Sequence, residues 1–407
     1  MTLPEGQSPI IYTNGDNDTF PLWYNQDTEG FRTDARVCNL SYLQTDWYID
    51  QMRRPAYDSP SVPISWQRLD YCAGTNEYVE VNPEAKQTIL DFYAQDPEAA
   101  KKNFGDEPFE LKNILKYWVC SHDENYHFIP TDTVYITIDK EAVRKSGMMM
   151  AGQEIPDKMT ISLAGKRALY KGDLMILEML ANCNWVRPIY VAVTVGSENY
   201  LNLGDNIVKE GLASRITPFT TNINGQPVVG MKTVDVERMY DNLMHKYKFG
   251  GLEKPGLYLD ETNMRMCWTH RRLYVELASN LLNQGQNQKA AEVLKYLDKH
   301  IPEYNVPISY HSGSLDEATV YAGLGMKKEC KHIAEAITKL CRQYLTWYLS
   351  LGQKDFLGSQ RECMMYLYIM HSCASVVEKV DAAYAEKINM ELAQFTDIYQ
   401  SRGGSMQ

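Results

Sequence analysis

The sequence predicts two domains: residues 1–228 form an α/β domain with a mostly parallel, Rossmann-like sheet, and residues 229–407 form an all-α domain of tetratricopeptide-like repeats. Three observations support this. Short apolar runs alternate with helical segments in the first half, which is typical of a parallel sheet covered by helices. After residue 227 the patterns become almost entirely helical. The charge is divided too, because residues 1–230 carry 20 basic and 31 acidic side chains and the rest carries 21 of each.

The α/β domain is expected to begin with strand, helix, strand and helix. Polar capping residues, Pro near a helix start and Gly after a helix end set the expected bounds. In chain order these are a strand at 10–12, a helix from Asp18 or Thr19 to Gly30, a strand at 35–40 and a helix at 46–52. Later strands are expected at 134–138, 159–163 and 189–195, and later helices at 83–95, 108–118 and 171–182.

The second half contains two copies of one spacing, in which small residues allow two antiparallel helices to cross and a glycine lets the chain reverse. The first copy is Ala278, Leu281, Gly285, Ala290, Leu294, Leu297 and Pro302, and the second is Ala318, Tyr321, Gly325, Cys330, Ala334 and Ile337. We therefore expect a stack of helical hairpins, which two further helices at 360–377 and 381–399 extend.

The acidic loop from Gly15 to Thr19 carries the sharpest chemical signal. It follows the first strand, where open α/β sheets bind ligands, and it contains Asp16, Asn17 and Asp18. These side chains can bind a divalent cation or sugar hydroxyls, and Trp23 and Tyr24 follow closely. The alternative is a helix-capping turn, in which the same side chains satisfy free backbone N–H groups.

Two other loops are expected at the same edge of the sheet. Asn39, Ser41, Asp46 and Trp47 follow the second strand, and Glu198 follows the strand at 189–195. Loops are polar in general, so this grouping is a hypothesis about a ligand-binding cleft. Arg187 precedes the last of these strands, at the opposite edge, and is expected to form a structural ion pair.

Composition excludes several functions. A net charge of −11 disfavours nucleic acid as a partner, and no run of 18 apolar residues predicts a transmembrane segment. The N-terminus lacks a signal-peptide pattern, which by itself indicates a cytoplasmic chain or a fragment of a larger one. The nine cysteines show no Cys-x-x-Cys pair and are expected to be free thiols. Common hydrolase, kinase and metalloprotease motifs are absent.

Several segments resemble the C-terminal soluble region of a family of large bacterial polytopic membrane proteins, long catalogued as a domain of unknown function. That family is similar to the eukaryotic protein O-mannosyltransferases of the GT-C class. The matching segments are 12–24, 32–34, 37–41, 45–52, 184–190 and 209–212. The resemblance covers nearly all of residues 9–220.

The resemblance implies an extracytoplasmic accessory module that is not catalytic by itself and whose partner is the membrane domain of its own full-length glycosyltransferase. The module would bind sugar, acceptor or protein partners and need no cofactor. One alternative is a repeat scaffold that binds proteins but not glycans. A further alternative is a metal-assisted hydrolase or transferase that uses Asp16 and Asp18. The sugar, the acceptor and the oligomeric state are not specified by the sequence.

Overall fold

The computed structural model describes residues 1–223 and 226–405. It divides into two compact units, residues 1–239 and residues 240–407, whereas the sequence places the boundary at residue 228. Two residues of the expected linker, Asn224 and Gly225, lie outside the described residues. The first unit contains the sheets and the second is helical, so an N-terminal sheet domain followed by a helical region is confirmed.

Eleven strands are present in the described residues. They are β1 Ile10–Thr13, β2 Arg36–Asn39, β3 Tyr78–Glu80, β4 Thr133–Thr137, β5 Lys158–Ser162, β6 Ala168–Tyr170, β7 Ile189–Ala192, β8 Ile207–Lys209, β9 Ala213–Ile216, β10 Asn222–Ile223 and β11 Gln226–Pro227. The three strands at the centre of the α/β prediction, β1, β2 and β7, are wholly buried. Their apolar runs form strands because a sheet buried on both faces needs apolar side chains on both.

The main sheet has five strands in the order β2-β1-β7-β9-β8. β1 is parallel to β2 and to β7, with Tyr12 opposite Cys38 and Val191. β9 is antiparallel to both β7 and β8. The prediction of a mostly parallel sheet is therefore only half right. The sheet is mixed because the chain turns directly from β8 into β9 around Gly211, and a hairpin of this kind can only join antiparallel strands.

The expected strands near 134–138 and 159–163 exist, but they do not join the main sheet. They are β4 and β5, which pair with each other as an antiparallel ribbon, Val134 opposite Ile161. β3 and β6, whose sequences gave no clear strand signal, form another antiparallel pair. Each of these strands alternates buried and exposed residues, and this pattern fits a ribbon with one face against the core.

Nine α-helices of the described residues lie at least partly within the first unit. They are α1 Asp16–Asp27, α2 Asp46–Met52, α3 Arg68–Tyr71, α4 Ala85–Gln95, α5 Pro97–Phe104, α6 Leu111–Ile114, α7 Lys140–Lys145, α8 Lys171–Asn182 and α9 Val236–Asp241. A π-helical turn, Leu115–Val119, continues α6. α8 has ten buried residues and packs against the sheet, where the Tyr12 hydroxyl lies 3.8 Å from the sulfur of Met179.

In the described residues the second unit is mainly helical; short turns join most of its helices, and longer connections occupy 247–260 and 301–313. The helices are α10 Glu261–Asn283, α11 Asn287–His300, α12 Ser314–Gly323, α13 Lys327–Ser350, α14 Gln353–Gly358, α15 Gln360–Glu378 and α16 Ala382–Ser401. Gly285 and Gly325 adopt φ values of +74° and +72° at the turns that follow α10 and α12, a conformation that glycine adopts without strain. The small residues of the repeated spacing are fully buried: Ala278, Ala290, Ala318 and Ala334.

All nine cysteines lie in the described part of the chain and are free thiols. Six of them are buried, as expected for small apolar core residues. Within residues 1–223 and 226–405, no helix combines the length and apolar composition that crossing a membrane requires.

Candidate functional site at the carboxyl end of the sheet

The carboxyl ends of β1, β2 and β7 meet at one edge of the sheet because the three strands are parallel neighbours. From β1 the chain passes through α1 to β2 on one side, while β7 lies on the other side of β1. Open α/β sheets bind ligands at this kind of reversal in strand order. The loops that follow Thr13, Asn39 and Ala192 are therefore the first place to look for a site.

Gly15 connects β1 to α1 and is the N-cap of the helix, with a φ of +96°. No side chain caps this helix, so the expectation that Asp18 or Thr19 is the cap residue was wrong. A residue with a Cβ would be strained at this φ, and glycine lets the chain turn sharply from strand to helix. Asp18 instead accepts a hydrogen bond from the backbone N–H of Asn14 at 2.9 Å, which fixes the turn from inside the helix.

Asn39 belongs to a buried hydrogen-bond network between β1, α1 and β2. Its Nδ2 donates to Thr19 Oγ1 at 2.8 Å, and Thr19 Oγ1 lies 2.8 Å from Thr13 Oγ1. Its Oδ1 accepts from the backbone N–H of Tyr42 at 3.2 Å. Asn39 is fully buried, so this predicted ligand-binding side chain holds the loops together and does not face solvent.

A second set of contacts links the acidic loop to its two neighbours. Thr194, two residues after β7, donates to Asp18 Oδ2 at 2.9 Å, and Ser41, two residues after β2, donates to Asn14 Oδ1 at 2.5 Å. Asp16 is exposed, and its Oδ1 lies 3.4 Å from the hydroxyl of Tyr42. Asp18 is thus used to join loops, whereas the carboxylate of Asp16 remains accessible to a ligand.

An aromatic run lies beside Asp16 and joins the first loop to the second. Ring centroids are 5.7 Å apart between Phe20 and Trp23, 6.3 Å between Trp23 and Tyr42, and 6.0 Å between Tyr42 and Trp47. Phe20 and Trp47 are about half exposed, at 47% and 50%. Tyr48 is buried beneath this run, and its ring meets those of Tyr42 and Trp47 edge-on.

Tyr48 also supports the edge strand of the sheet. Its hydroxyl accepts from the backbone N–H of Asn39 at 2.8 Å and donates to the carbonyl of Val37 at 3.5 Å. Burial raises the pKa of Tyr48 far above its ordinary value, so the phenol stays protonated and able to donate. These bonds fix the orientation of the aromatic run.

Four of the predicted residues do not share in this arrangement. Asp46 forms an ion pair with Arg68 at 3.0 Å and accepts from the backbone N–H of Ala73 at 3.2 Å. Glu198 accepts from the side-chain amide of Asn199 on its own loop at 3.0 Å. The remaining two are exposed and form no side-chain hydrogen bond or ring contact in the described residues: Asn17 and Tyr24.

The arrangement gives little support to a metal centre. In the part of the chain that the structure describes, no group of three or more His, Cys, Asp or Glu side chains is placed to hold a metal ion. Asp18, one of the two proposed ligands, already accepts hydrogen bonds from Asn14 and Thr194 on a single oxygen. A hydroxyl-rich ligand fits the exposed carboxylate and aromatic rings better, because it needs a few polar groups beside an apolar surface.

The sequence analysis missed Tyr42 and Thr194. Tyr42 joins the aromatic run to Asp16, and Thr194 joins the loop after β7 to Asp18. The signal for Tyr42 was its place among the aromatic residues that follow Asn39. Thr194 was included in the apolar strand prediction, but β7 ends at Ala192, which leaves its side chain free to bond outside the strand.

Arg187 lies at the opposite end of the sheet. It does not form the expected ion pair with a carboxylate of the described residues, and it instead donates to the Ser61 carbonyl at 2.8 Å, the Ser59 hydroxyl at 2.8 Å and the Ser8 carbonyl. Burial, together with the nearby positive charge of Arg36, lowers the pKa of Arg187 to about 10. Arg187 therefore binds the backbone beside the first residues of β1 and β7, and its donors are not available to a ligand.

No curated protein matches the chain, and no solved structure matches it. The sequence profile of the TMEM260-associated domain 2 family matches residues 2–238, a region that includes every residue of the site. Because this match covers more than half of the chain, the protein belongs to the TMEM260-associated domain 2 family.

Proposed function

We propose that this chain is a soluble extracytoplasmic accessory module of a membrane glycosyltransferase of the protein O-mannosyltransferase-like GT-C class. Its α/β unit, which we regard as Rossmann-like at β1, α1, β2 and β7, binds a sugar or a glycosyl acceptor. The family name, which refers to a transmembrane protein, supports a membrane-protein partner. That partner is the membrane domain of the same full-length protein.

The observation that carries the proposal is the exposed carboxylate of Asp16 beside an aromatic run. Tyr42 contacts Asp16 and stacks with Trp23, and Phe20 and Trp47 offer half-exposed rings on either side. A carboxylate accepts hydrogen bonds from hydroxyl groups, and aromatic faces pack against an apolar ring face. A sugar or a hydroxyl-bearing acceptor side chain offers both chemistries.

A non-catalytic role follows from how the polar residues are used. Asp18 accepts from Asn14 of its own loop and from Thr194 after β7, and Asn39 donates to Thr19 of α1. Catalysis needs a second group positioned to move a proton or attack the substrate. The hydroxyl of Tyr42 lies 3.4 Å from Asp16, and we assign both groups to binding. Binding requires only the groups that are present.

The experiment is a binding screen of the full chain against mannose-containing glycans and hydroxyl-bearing acceptor peptides. The wild type should bind a member of one class, and Asp16→Asn and Trp47→Ala should each weaken that binding by about tenfold or more, which is the effect of losing one charged hydrogen bond or one buried ring. Asp106→Asn, which changes an exposed carboxylate elsewhere in the unit, should bind normally. Equal binding by all four proteins, or by none, contradicts the proposal.

A second candidate function is a protein-interaction scaffold, and it rests on the helical unit, which we regard as tetratricopeptide-like. Aromatic residues of α13 and α15 are exposed, among them Tyr344, Trp347 and Tyr368, and the rings of Tyr344 and Tyr366 stack at 4.7 Å. Tyr and Trp are enriched at protein interfaces. A scaffold would bind its partner through this surface and would not need Asp16.

The two candidates are separated by a pull-down in which variants of this chain capture the membrane domain, expressed as a separate polypeptide. The scaffold function predicts that Trp347→Ala combined with Tyr368→Ala reduces capture at least about tenfold, while Asp16→Asn has no effect. Loss of capture with Asp16→Asn and normal capture with the aromatic double variant would favour the α/β site. Lys387→Ala, a substitution of an exposed residue of the same unit, is the control.

A further inference from the structure

A separate cavity of about 410 Å³ lies beside the edge strand β2. This volume is within the range of small-molecule sites, roughly 300–1,000 Å³. The cavity is bordered by α1, β2, α2 and the loop that follows α2. The side chains used below are Trp23, Asp27, Arg36, Tyr48, Arg54 and Tyr57. Neither Asp16 nor Asp18 lines it, and of the aromatic run at the carboxyl end only Trp23 is among the lining residues named here.

Arg36 is the unusual residue of this cavity because its guanidinium is buried without a counter-ion. The residue is 5% exposed. Its Nη2 donates to the carbonyl of Gln51 at 2.5 Å, but its Nη1 is buried and has no hydrogen-bond partner among the described residues. No carboxylate of those residues forms an ion pair with it. Buried arginines are nearly always paired, and an unpaired buried charge is strongly destabilising.

The surroundings of Arg36 do not compensate for its charge. The positive charge of Arg36 contributes to the lowered pKa of Arg187, so two partly or fully buried guanidinium groups repel each other in this part of the protein. Cys38 is also near, but burial raises its pKa to about 12 and keeps the thiol neutral. The nearby protein groups therefore leave an excess of positive charge.

The rest of the lining suits a ring-shaped ligand with one anionic group. Trp23, Tyr48 and Tyr57 contribute aromatic side chains, and Arg54 adds an exposed cation. The one carboxylate of the lining, Asp27, accepts a hydrogen bond from the hydroxyl of Tyr57. This bond ties the loop after α2 to α1.

We propose that this cavity binds an anion of monosaccharide size, in which a carboxylate or a phosphate monoester is attached to a ring. The anionic group is attracted by the positive charge of Arg36, which no carboxylate of the described residues balances, and it neutralises that buried charge. The ring packs against Trp23 and Tyr57, and Arg54 strengthens the attraction for the anion from the solvent side. This site prefers the opposite ligand charge from the carboxyl-end site and does not depend on the function proposed for that site.

The test measures thermal unfolding and calorimetric binding of the full chain with D-glucuronate, D-glucose 6-phosphate and neutral D-glucose, with sodium chloride matching the ionic strength. At least one charged sugar should raise the Tm and bind with a Kd below about 1 mM, and glucose should not. The two charged probes distinguish a carboxylate from a phosphate. No binding of either at about 10 mM, or equal effects of glucose or chloride, would overturn the proposal.

Variants assign the effect to the cavity. Arg36→Met removes the unpaired charge, so it should keep or raise the Tm without ligand and should abolish the response to the charged sugar. Arg54→Ala changes an exposed residue, so it should fold normally and weaken binding at least about threefold. Arg144→Ala, at an exposed arginine outside the cavity, should bind as the wild type does.

The variants also define the contrary result. Wild-type affinity in Arg54→Ala together with a full response in Arg36→Met would show that the anion binds elsewhere. If Arg36→Met fails to fold, unchanged affinity in Arg54→Ala alone refutes the assignment.

Discussion

The two ends of the main sheet use polar side chains in opposite ways. At the carboxyl end, short side chains from three loops bond to one another, and they leave Asp16 and the aromatic run exposed. At the other end, Arg187 directs its donors to backbone carbonyls and a serine hydroxyl. Both ends are polar in the sequence, yet the donors of Arg187 are engaged by the fold, whereas the carboxylate of Asp16 stays available to a ligand. Residue type alone therefore does not reveal a binding site.

The difference has a local cause at each end. After β1 a helix begins, and its free N–H groups and positive dipole end favour the carboxylates of Asp16 and Asp18 in the first turn. Before β7, Asn184 and Trp185 adopt positive φ values of 48° and 58°. Arg187 follows this tight turn and contacts two irregular backbone segments, at Ser8 and at residues 59–61. Those carbonyls have no ladder partners, so the guanidinium satisfies them.

The largest expected change in the free energy of unfolding is at the end of the sheet where Arg187 lies. Arg187→Ala should lower the free energy of unfolding by about 3 kcal/mol, because several charged hydrogen bonds are lost and carbonyls are left without donors. Chemical denaturation measures it. Arg187→Lys should recover less than half of the loss, since an ammonium cannot reproduce the planar fork. A loss below about 1 kcal/mol would show that the two ends do not differ in the way described.

The next largest loss of stability is expected in the buried hydrogen-bond network at the carboxyl end of the sheet. Asn39→Ala should cost about 2 kcal/mol, because Thr19 and the N–H of Tyr42 lose a buried partner. Ser41→Ala, at an exposed neighbour, should cost less than about 0.5 kcal/mol. Denaturation of both variants is the measurement, and equal losses would contradict the assignment of Asn39 as a structural residue.

Substitutions of the two carboxylates in the first turn of α1 should lower the free energy of unfolding by different amounts in the same assay. Asp18→Asn should cost about 1 kcal/mol, because its carboxylate accepts from Asn14 and Thr194. Asp16→Asn should cost only the few tenths of a kcal/mol expected from the helix dipole. A larger loss for Asp16 than for Asp18 would reverse the roles given to them.

The smallest effect is a pH dependence at a third carboxylate. Glu178 of α8 accepts three hydrogen bonds on Oε1, from the N–H and hydroxyl of Ser65 and the N–H of Trp66. Burial still raises its pKa above the ordinary value of 4.5. The folded state therefore holds the proton more tightly, so its stabilising contribution is complete below pH 4.5 and is lost as the pH rises through the folded pKa.

The measurement is denaturation of Glu178→Gln and wild type between about pH 4 and pH 8. Glutamine keeps the Oε1 acceptor and cannot ionise, so the variant should gain stability relative to the wild type as the pH rises. Glu98→Gln, an exposed control, should track the wild type. A difference that shrinks with rising pH would show that hydrogen bonding outweighs burial at Glu178.

The local signals in the sequence determined much of the secondary structure. The predicted bounds of α2 and α8 are those of the structure, because capping residues and amphipathic spacing act within a few turns. The glycine turns at Gly285 and Gly325 were equally readable, since only the backbone conformation of one residue is required. The carboxylates expected in a loop after β1 instead lie in the first turn of α1, which begins at Asp16.

The tertiary structure decided strand pairing and the use of each polar side chain. The sequence could not show that β4 and β5 pair apart from the main sheet, or that β9 enters it antiparallel, because pairing depends on contacts between distant residues. Nor could it show that Asn39 is buried while Asp16 is exposed, or that Arg36 has no counter-ion. Sequence fixes which groups are present; only the packed fold determines which of them find partners and which remain for a ligand.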